Sequence, residues 1–156
     1  GLHSNGYSLV RRLINKKKID IKKNKFLKKE LIKPTKIYVK EIIKLNDKGF
    51  INGCSHITGG GIVDNLKRII PDKLCANINL NYIKPPKIFK WLKQNSINDK
   101  EMIKTFNCGV GFCIIIDNKN LDIVKNFFPK KFRPYVLGRI NAGNQKIKVN
   151  GKINWI

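Results

Sequence analysis

Two short segments of this chain place a histidine, hydroxyl or amide side chains and glycine directly before a helical pattern. They are Gly1-Leu-His-Ser-Asn-Gly-Tyr-Ser-Leu9 and Ser55-His-Ile-Thr-Gly-Gly-Gly-Ile62. At a helix start, free backbone N–H groups and the helix dipole favour a bound phosphate or carboxylate. Glycine lets a ligand approach the backbone closely. In the first segment His3, Ser4, Asn5 and Gly6 are the candidates for such binding, although Ser-Asn-Gly before a helix is equally a cap and turn. In the second, His56 and Thr58 precede Gly59, Gly60 and Gly61, a loop able to wrap its amides round a phosphate or simply to enter a helix tightly. It lacks the Lys-Ser/Thr of a Walker loop and the spacing of the dinucleotide fingerprint. Two histidine-plus-glycine helix entries in one small domain make coincidence the weaker reading.

A third segment, Thr105-Phe-Asn-Cys-Gly-Val-Gly111, leads into an apolar run, with glycines where backbone could approach a ligand or a neighbouring element. Cys108 has no base beside it in sequence and reads as a buried thiol. Cys54, Cys75 and Cys113 form no C-x-x-C pair with it, and with only two histidines the chain offers no metal-site spacing. Reduced, buried cysteines and no metal ligands are expected.

Helices and strands must position these segments. Leu9, Val10, Leu13 and Ile14 recur at helical spacing, which predicts a helix over 6–18 capped by Ser4 or Asn5. Residues 19–33 are lysine-rich and weakly patterned, a solvated connection with one turn of helix. Pro34 suits the first position of a second helix with Tyr38, Val39, Ile42 and Ile43 on its apolar face, ending near Gly49. After a mixed, partly extended stretch over 50–58, Ile62, Val63, Leu66, Ile69 and Ile70 predict a helix closed by Pro71. Residues 75–80 alternate as a half-buried strand does. Pro85-Pro86 start a helix bearing Ile88, Phe89, Trp91 and Leu92, and Met102 and Ile103 sit on another. Residues 110–116 are continuously apolar and predict an interior strand. A helix over 121–128, a strand over 135–140 and a hairpin about Asn150-Gly151 complete the order. Phe89, Trp91, Phe127 and Phe128 fall on apolar helix faces and read as core rather than as base-stacking platforms. Without strict alternation, the class is α+β or mixed α/β layers, a sheet covered by helices.

The 156 residues fit one domain. The 33 basic and 10 acidic residues give a net charge of +23, which raises a basic polyanion-binding module as a rival function. Against it, the basic residues are nearly all lysine and are spread along the chain, whereas phosphate and base readers favour clustered arginine forks. Lysine, asparagine and isoleucine, all with A/T-rich codons, make up about 46% of the chain. Nucleotide bias therefore accounts for the charge, and no specific nucleic-acid partner is expected. No apolar run approaches a membrane span, so the expected setting is cytoplasmic with no membrane partner.

Taken together, Gly1–Leu9, Pro34-Thr-Lys-Ile-Tyr-Val39, His56–Gly61, Asn65, Arg68, Pro71, Thr105–Gly111 and Tyr135-Val-Leu-Gly138, in this order, resemble the C-terminal domain of the phosphoribosylformylglycinamidine cyclo-ligase (aminoimidazole ribonucleotide synthetase) family. The resemblance covers essentially the whole chain and implies one sheet-and-helix domain that packs against an N-terminal domain. That second domain would bind ATP and Mg2+ and form a homodimer. It implies a ligase of purine biosynthesis that phosphorylates the formyl oxygen of formylglycinamidine ribonucleotide at the expense of ATP, closes the imidazole ring and releases ADP and phosphate. His3, Ser4, Asn5 and Gly6 would lie at the interdomain cleft. Thr58 and Gly59 to Gly61 would form the substrate- or phosphate-binding loop, and His56 would be the catalytic group nearest the reacting amide. The chain departs from the family at Asp64-Asn65-Leu66-Lys67, where Glu-Asn-x-Pro is common. It opens inside the first motif without an initiator methionine, so an inactive fragment is expected. Formylglycinamidine synthetase, selenophosphate synthetase and thiamine-phosphate kinase share the two-domain plan and are the nearest alternatives.

Overall fold

A computed structural model describes residues 1–156, apart from the side chain of Lys131. Seven helices and five strands follow in the order α1 (Tyr7–Lys16), α2 (Lys25–Leu31), α3 (Val39–Asp47), β1 (Gly53–His56), α4 (Gly61–Lys67), β2 (Leu74–Asn79), α5 (Lys87–Gln94), α6 (Asp99–Thr105), β3 (Phe112–Ile115), α7 (Leu121–Phe127), β4 (Gly138–Ala142) and β5 (Ile147–Asn150). The strands make two small sheets. β1 runs antiparallel to β3, and β2 lies between β4, antiparallel to it, and β5, parallel to it. This is the α+β arrangement expected, with helices against sheets.

The core forms where the apolar stripes of α1, α4, α5 and α6 meet the inward faces of the sheets. Val10, Leu13 and Ile14 of α1, Ile62 and Leu66 of α4, Ile88, Phe89 and Leu92 of α5, and Met102 of α6 share one buried cluster with Ala76 and Ile78 of β2. Phe106, fully buried at the end of α6, lies 5.8 Å from the ring of Phe89. Glycines bring two helix starts against it. A Cβ at Gly6 would overlap the Phe106 ring, and one at Gly61 would overlap the carbonyl oxygen of Ile103 and crowd that of Phe106. Both glycines have positive φ, at 72° and 64°.

Several expectations are corrected. α1 is entered through Gly6 with no side-chain cap, because Asn5 donates instead to the carbonyl oxygen of His3. The lysine-rich stretch contains a genuine helix, α2, whose Asn24 side chain accepts from the backbone N–H of Leu27 at 3.0 Å while Leu27 itself is fully buried. Pro34 does not start α3. Residues 34–38 stay out of the helix, with Thr35 beside Ser4 at 3.4 Å and Tyr38 lying over Gly111. The expected apolar face of α3 is largely open, with Val39 and Ile43 exposed and only Leu45 buried. β3 is half-buried rather than interior. β4 begins three residues later than the predicted strand, at Gly138.

The expected terminal hairpin is absent. After β5 the chain turns at Gly151 and is fastened by Lys152 N–H to the Asn81 side chain at 2.9 Å, which leads it away from its own strand. Phe89 is core and Trp91 packs on the core's edge, whereas Phe127 and Phe128 are half-buried and meet edge to face at 5.8 Å. Among the cysteines Cys75 and Cys108 are buried, Cys113 is half-buried and Cys54 is exposed, all as free thiols.

Gly61 and Gly49 separate the cost of a left-handed backbone from the cost of lost space. Gly49 has φ 69° and open space around it, so Gly49→Ala should cost roughly 1–2 kcal/mol, the left-handed penalty alone. Gly61→Ala should cost about 3 kcal/mol or more, because α4 must also move off α6. Chemical unfolding of both variants measures the difference.

Candidate functional site

The two histidine segments come together at one end of the β1–β3 ladder. His56 is the last residue of β1 and pairs directly with Phe112, so the two side chains share the outward face and their rings stack 5.9 Å apart. His3 arrives from the N-terminal loop and sits 6.5 Å from His56 between ring centroids. Tyr38, just ahead of α3, completes a triangle at 6.1 Å from each histidine and 5.2 Å from Phe112. Gly111 is the floor of this cluster. A Cβ there would overlap the Tyr38 hydroxyl and press on the His3 ring.

The loop that delivers His3 is held in an unusual backbone conformation. His3 and Ser4 both have positive φ, at 55° and 61°, where non-glycine residues carry a penalty. Leu2 is buried on one side, the Asn5 backbone N–H reaches the Leu2 carbonyl at 3.2 Å, and the Asn5 side chain holds the His3 carbonyl at 2.7 Å. Buried Asn107 supports it from the other side: its amide donates to the Gly1 carbonyl at 3.2 Å and its oxygen accepts from the Gly109 N–H at 2.8 Å.

Among the sequence candidates, His3 and His56 are thus neighbours, and Asn5 lies beside Gly59. Ser4 is exposed and turned toward Thr35. Gly6 and Gly61 are packed against the Phe106 region, away from the histidine rings. Thr58 gives its hydroxyl to Asn65 at 3.2 Å, and the Asn65 amide reaches the carbonyls of Gly61 at 2.7 Å and Gly59 at 3.1 Å. The triple-glycine loop is therefore closed on its own helix. The Asp64 carboxylate stands beside Gly60, where it would oppose an incoming phosphate.

The cleft beside His3 has a volume of about 530 Å³ and is lined by His3, Tyr38, Lys36, Asn107, Gly109 and Phe132 among others. A larger hollow of about 650 Å³ lies on the outer face of the three-stranded sheet, lined by Asn77, Asn141 and Arg139 among others. The first of these hollows carries the titratable cluster. Lys36 extends over the rings of Phe132 at 3.7 Å and Tyr38 at 5.0 Å, and Lys33 on the rim is paired with Glu30. Burial, helped by the N-terminal ammonium, His56 and Lys36, pushes His3 down to about 4. Burial also raises the Tyr38 phenol above its ordinary value. At neutral pH both groups are uncharged. Among the described residues no cluster of three or more His, Cys, Asp or Glu side chains is placed to hold a metal ion.

Sequence reasoning misplaced Tyr38 as a core-facing helix residue and passed over Lys36 and Asn107. The usable signal was Tyr38 itself, a polar aromatic in Pro34–Val39 just ahead of α3.

The family model described as AIR synthase related protein, C-terminal domain, matches residues 1–150. The chain belongs to the AIR synthase related family. It is 40% identical to the phosphoribosylformylglycinamidine cyclo-ligase of Carboxydothermus hydrogenoformans over 96% of its own length and 46% of the relative's. The Clostridium kluyveri protein of the same name is 35% identical over 94% of the chain and 44% of the relative. That of Neisseria gonorrhoeae is 40% identical over 81% and 38%. The chain thus spans less than half the length of these relatives.

Two outcomes follow from the geometry. Asn65→Asp keeps the shape of the side chain but removes the bonds its amide donates to the carbonyls of Thr58, Gly59 and Gly61, and should destabilise the fold by about 2 kcal/mol or more, at least as much as Asn65→Leu, in urea unfolding. The unfolded chain protonates His3 near 6.5 and the folded chain only near 4. Its contribution to stability is therefore full above pH 6.5 and is lost as pH falls through that window to a plateau below 4. His3→Gln should remove that part of the pH dependence of the unfolding midpoint.

Proposed function

We propose that this chain is the C-terminal part of an ATP-dependent phosphoribosylformylglycinamidine cyclo-ligase, which converts formylglycinamidine ribonucleotide to aminoimidazole ribonucleotide in purine biosynthesis. The observation that carries the reading is the meeting of His3 and His56 from two distant loops, 6.5 Å apart, in a chain whose relatives at 35–40% identity carry that name. Those names favour the cyclo-ligase over formylglycinamidine synthetase, selenophosphate synthetase or thiamine-phosphate kinase.

In this reading the substrate occupies the cleft lined by His3 and Tyr38 and extends to the neighbouring His56, the polar group nearest the reacting amide. Ser4, Asn5, Gly6, Thr58 and Gly59 to Gly61 form and brace the loops around it. Among the described residues no group of three or more His, Cys, Asp or Glu side chains is placed to hold a metal ion, and Mg–ATP, which supplies the transferred phosphoryl group, is assigned in this reading to an N-terminal domain of the longer protein. What these residues supply is position and hydrogen-bonding groups, of which His3 and Tyr38 are uncharged at neutral pH. Such groups raise rates by holding reacting groups together and by stabilising developing charge. The longer protein is proposed to be a cytoplasmic homodimer. No helix among the described residues is long and apolar enough to cross a membrane.

Residues 1–156 alone should form no aminoimidazole ribonucleotide from substrate and ATP, and supplying the N-terminal part should restore turnover. In the complete enzyme His56→Ala should lower kcat/KM by about a hundredfold. Turnover by the 156-residue chain alone would sink the reading.

A further inference from the structure

His3 Nδ1 is the one buried side-chain nitrogen or oxygen without a hydrogen-bond partner among the described residues. Leaving such an atom unpaired costs free energy, and an unpaired group in a site usually has a task or a partner close by. The Tyr38 hydroxyl shares the same floor. It and the His3 ring edge bearing Nδ1 both lie against Gly111, at a place that only a residue without a side chain leaves free. A shift of the Tyr38 side chain toward the His3 ring would bring the hydroxyl to Nδ1 and give that nitrogen its partner.

We propose that Tyr38 is a positioning residue: its hydroxyl donates to His3 Nδ1 and so fixes His3 as the tautomer carrying its proton on Nε2. His3 then meets the ligand in the cleft as a neutral N–H donor to an uncharged carbonyl oxygen of amide type. This rests on the cyclo-ligase reading only for the identity of that oxygen, the formyl oxygen of the substrate. The chemistry of the pair stands on the geometry alone.

The surroundings agree. The charged or titratable groups facing His3 in the 156-residue chain are Lys36 and Tyr38 from the segment ahead of α3, His56 from β1, and the Gly1 ammonium, which a preceding domain would replace by a peptide N–H. Three of these are basic, and no carboxylate among the described residues is recorded facing the ring to stabilise an imidazolium. A positive charge on His3 is opposed by burial and by its neighbours, and the phenol is kept protonated by burial. A protonated phenol can only satisfy a bare imidazole nitrogen by donating to it. The orientation of a histidine through one ring nitrogen decides what the other can do. A neutral imidazole donor suits an amide carbonyl, whose oxygen gains negative charge as it is activated, and spares the site the cost of a buried cation. A phosphate is the anionic end of such a ligand and fits the Lys36 rim instead.

The test is nitrogen-15 NMR of the 156-residue chain labelled in histidine. With only two histidines, a His56→Gln sample assigns the signals. In the unsubstituted protein at neutral pH, His3 Nδ1 should resonate as an unprotonated nitrogen and Nε2 as a protonated one. Tyr38→Phe keeps the ring and the packing and removes only the donor, so His3 should shift toward a mixture of tautomers while His56 stays unchanged. Gly111→Ala, which pushes the hydroxyl from its place, should have the same effect. A proton found on His3 Nδ1 in the unsubstituted protein, or an identical His3 pattern in folded Tyr38→Phe, would overturn the proposal. Failure of the full-length protein to close the imidazole ring would instead remove the cyclo-ligase reading and leave this signature in place.

Discussion

The burial of Phe106 is the constraint on which the rest of this domain depends. Its ring accepts the entry of α1 at Gly6, its carbonyl region accepts the entry of α4 at Gly61, and its ring meets Phe89 of α5. Two helices are thereby fixed relative to one side chain that has no exposure to water, and α4 abuts the backbone carbonyls of Ile103 and Phe106 beside it. Close packing of this kind makes interiors intolerant of even one added methyl. Gly6 and Gly61, which look in sequence like parts of ligand-cradling loops, let helix starts approach the core closely.

The candidate site grows from the same stretch of chain. Immediately after Phe106, Asn107 ties the N-terminal segment to the turn at Gly109, and Gly111 opens the slot into which Tyr38 and His3 fit. His56 is added by strand pairing, opposite Phe112. The left-handed conformation of His3 and Ser4 is a local expense that these surrounding contacts over-determine. Packing, backbone strain and the chemistry of the cleft are therefore one system.

Much of this was legible in the residues. Helical spacing in 9–14, 62–66 and 88–92 reflects a real division between core and solvent, and α1, α4 and α5 lie there. The two histidine motifs do converge. What the sequence could not convey is tertiary. Residues 34–38 have the pattern of a helix start, yet contact with Ser4 and Gly111 holds them out of it. The apolar run at 110–116 suggests a central strand, but β3 pairs only with β1 among the described residues. Asn150-Gly151 reads as a hairpin because a local turn signal carries no information about Asn81, the residue that captures the chain after the turn. Tyr38 was assigned to the core because aromatic character at helical spacing does not reveal which partner an aromatic meets.

The pairing of β1 with β3 gives the site an all-or-none character. Side chains on a strand alternate between faces, so sliding β1 by one residue would carry His56 to the inner face and bring Ser55 out in its place. No partial version of the histidine pair exists between those two registers. Backbone bonds just beyond each end of the ladder, Asn52 N–H to the Ile115 carbonyl at 2.8 Å and Ile57 N–H to the Gly111 carbonyl at 3.0 Å, hold the ladder in this register. The meeting of the two histidines is thus a matter of strand registration, set by backbone groups at the ends of the ladder.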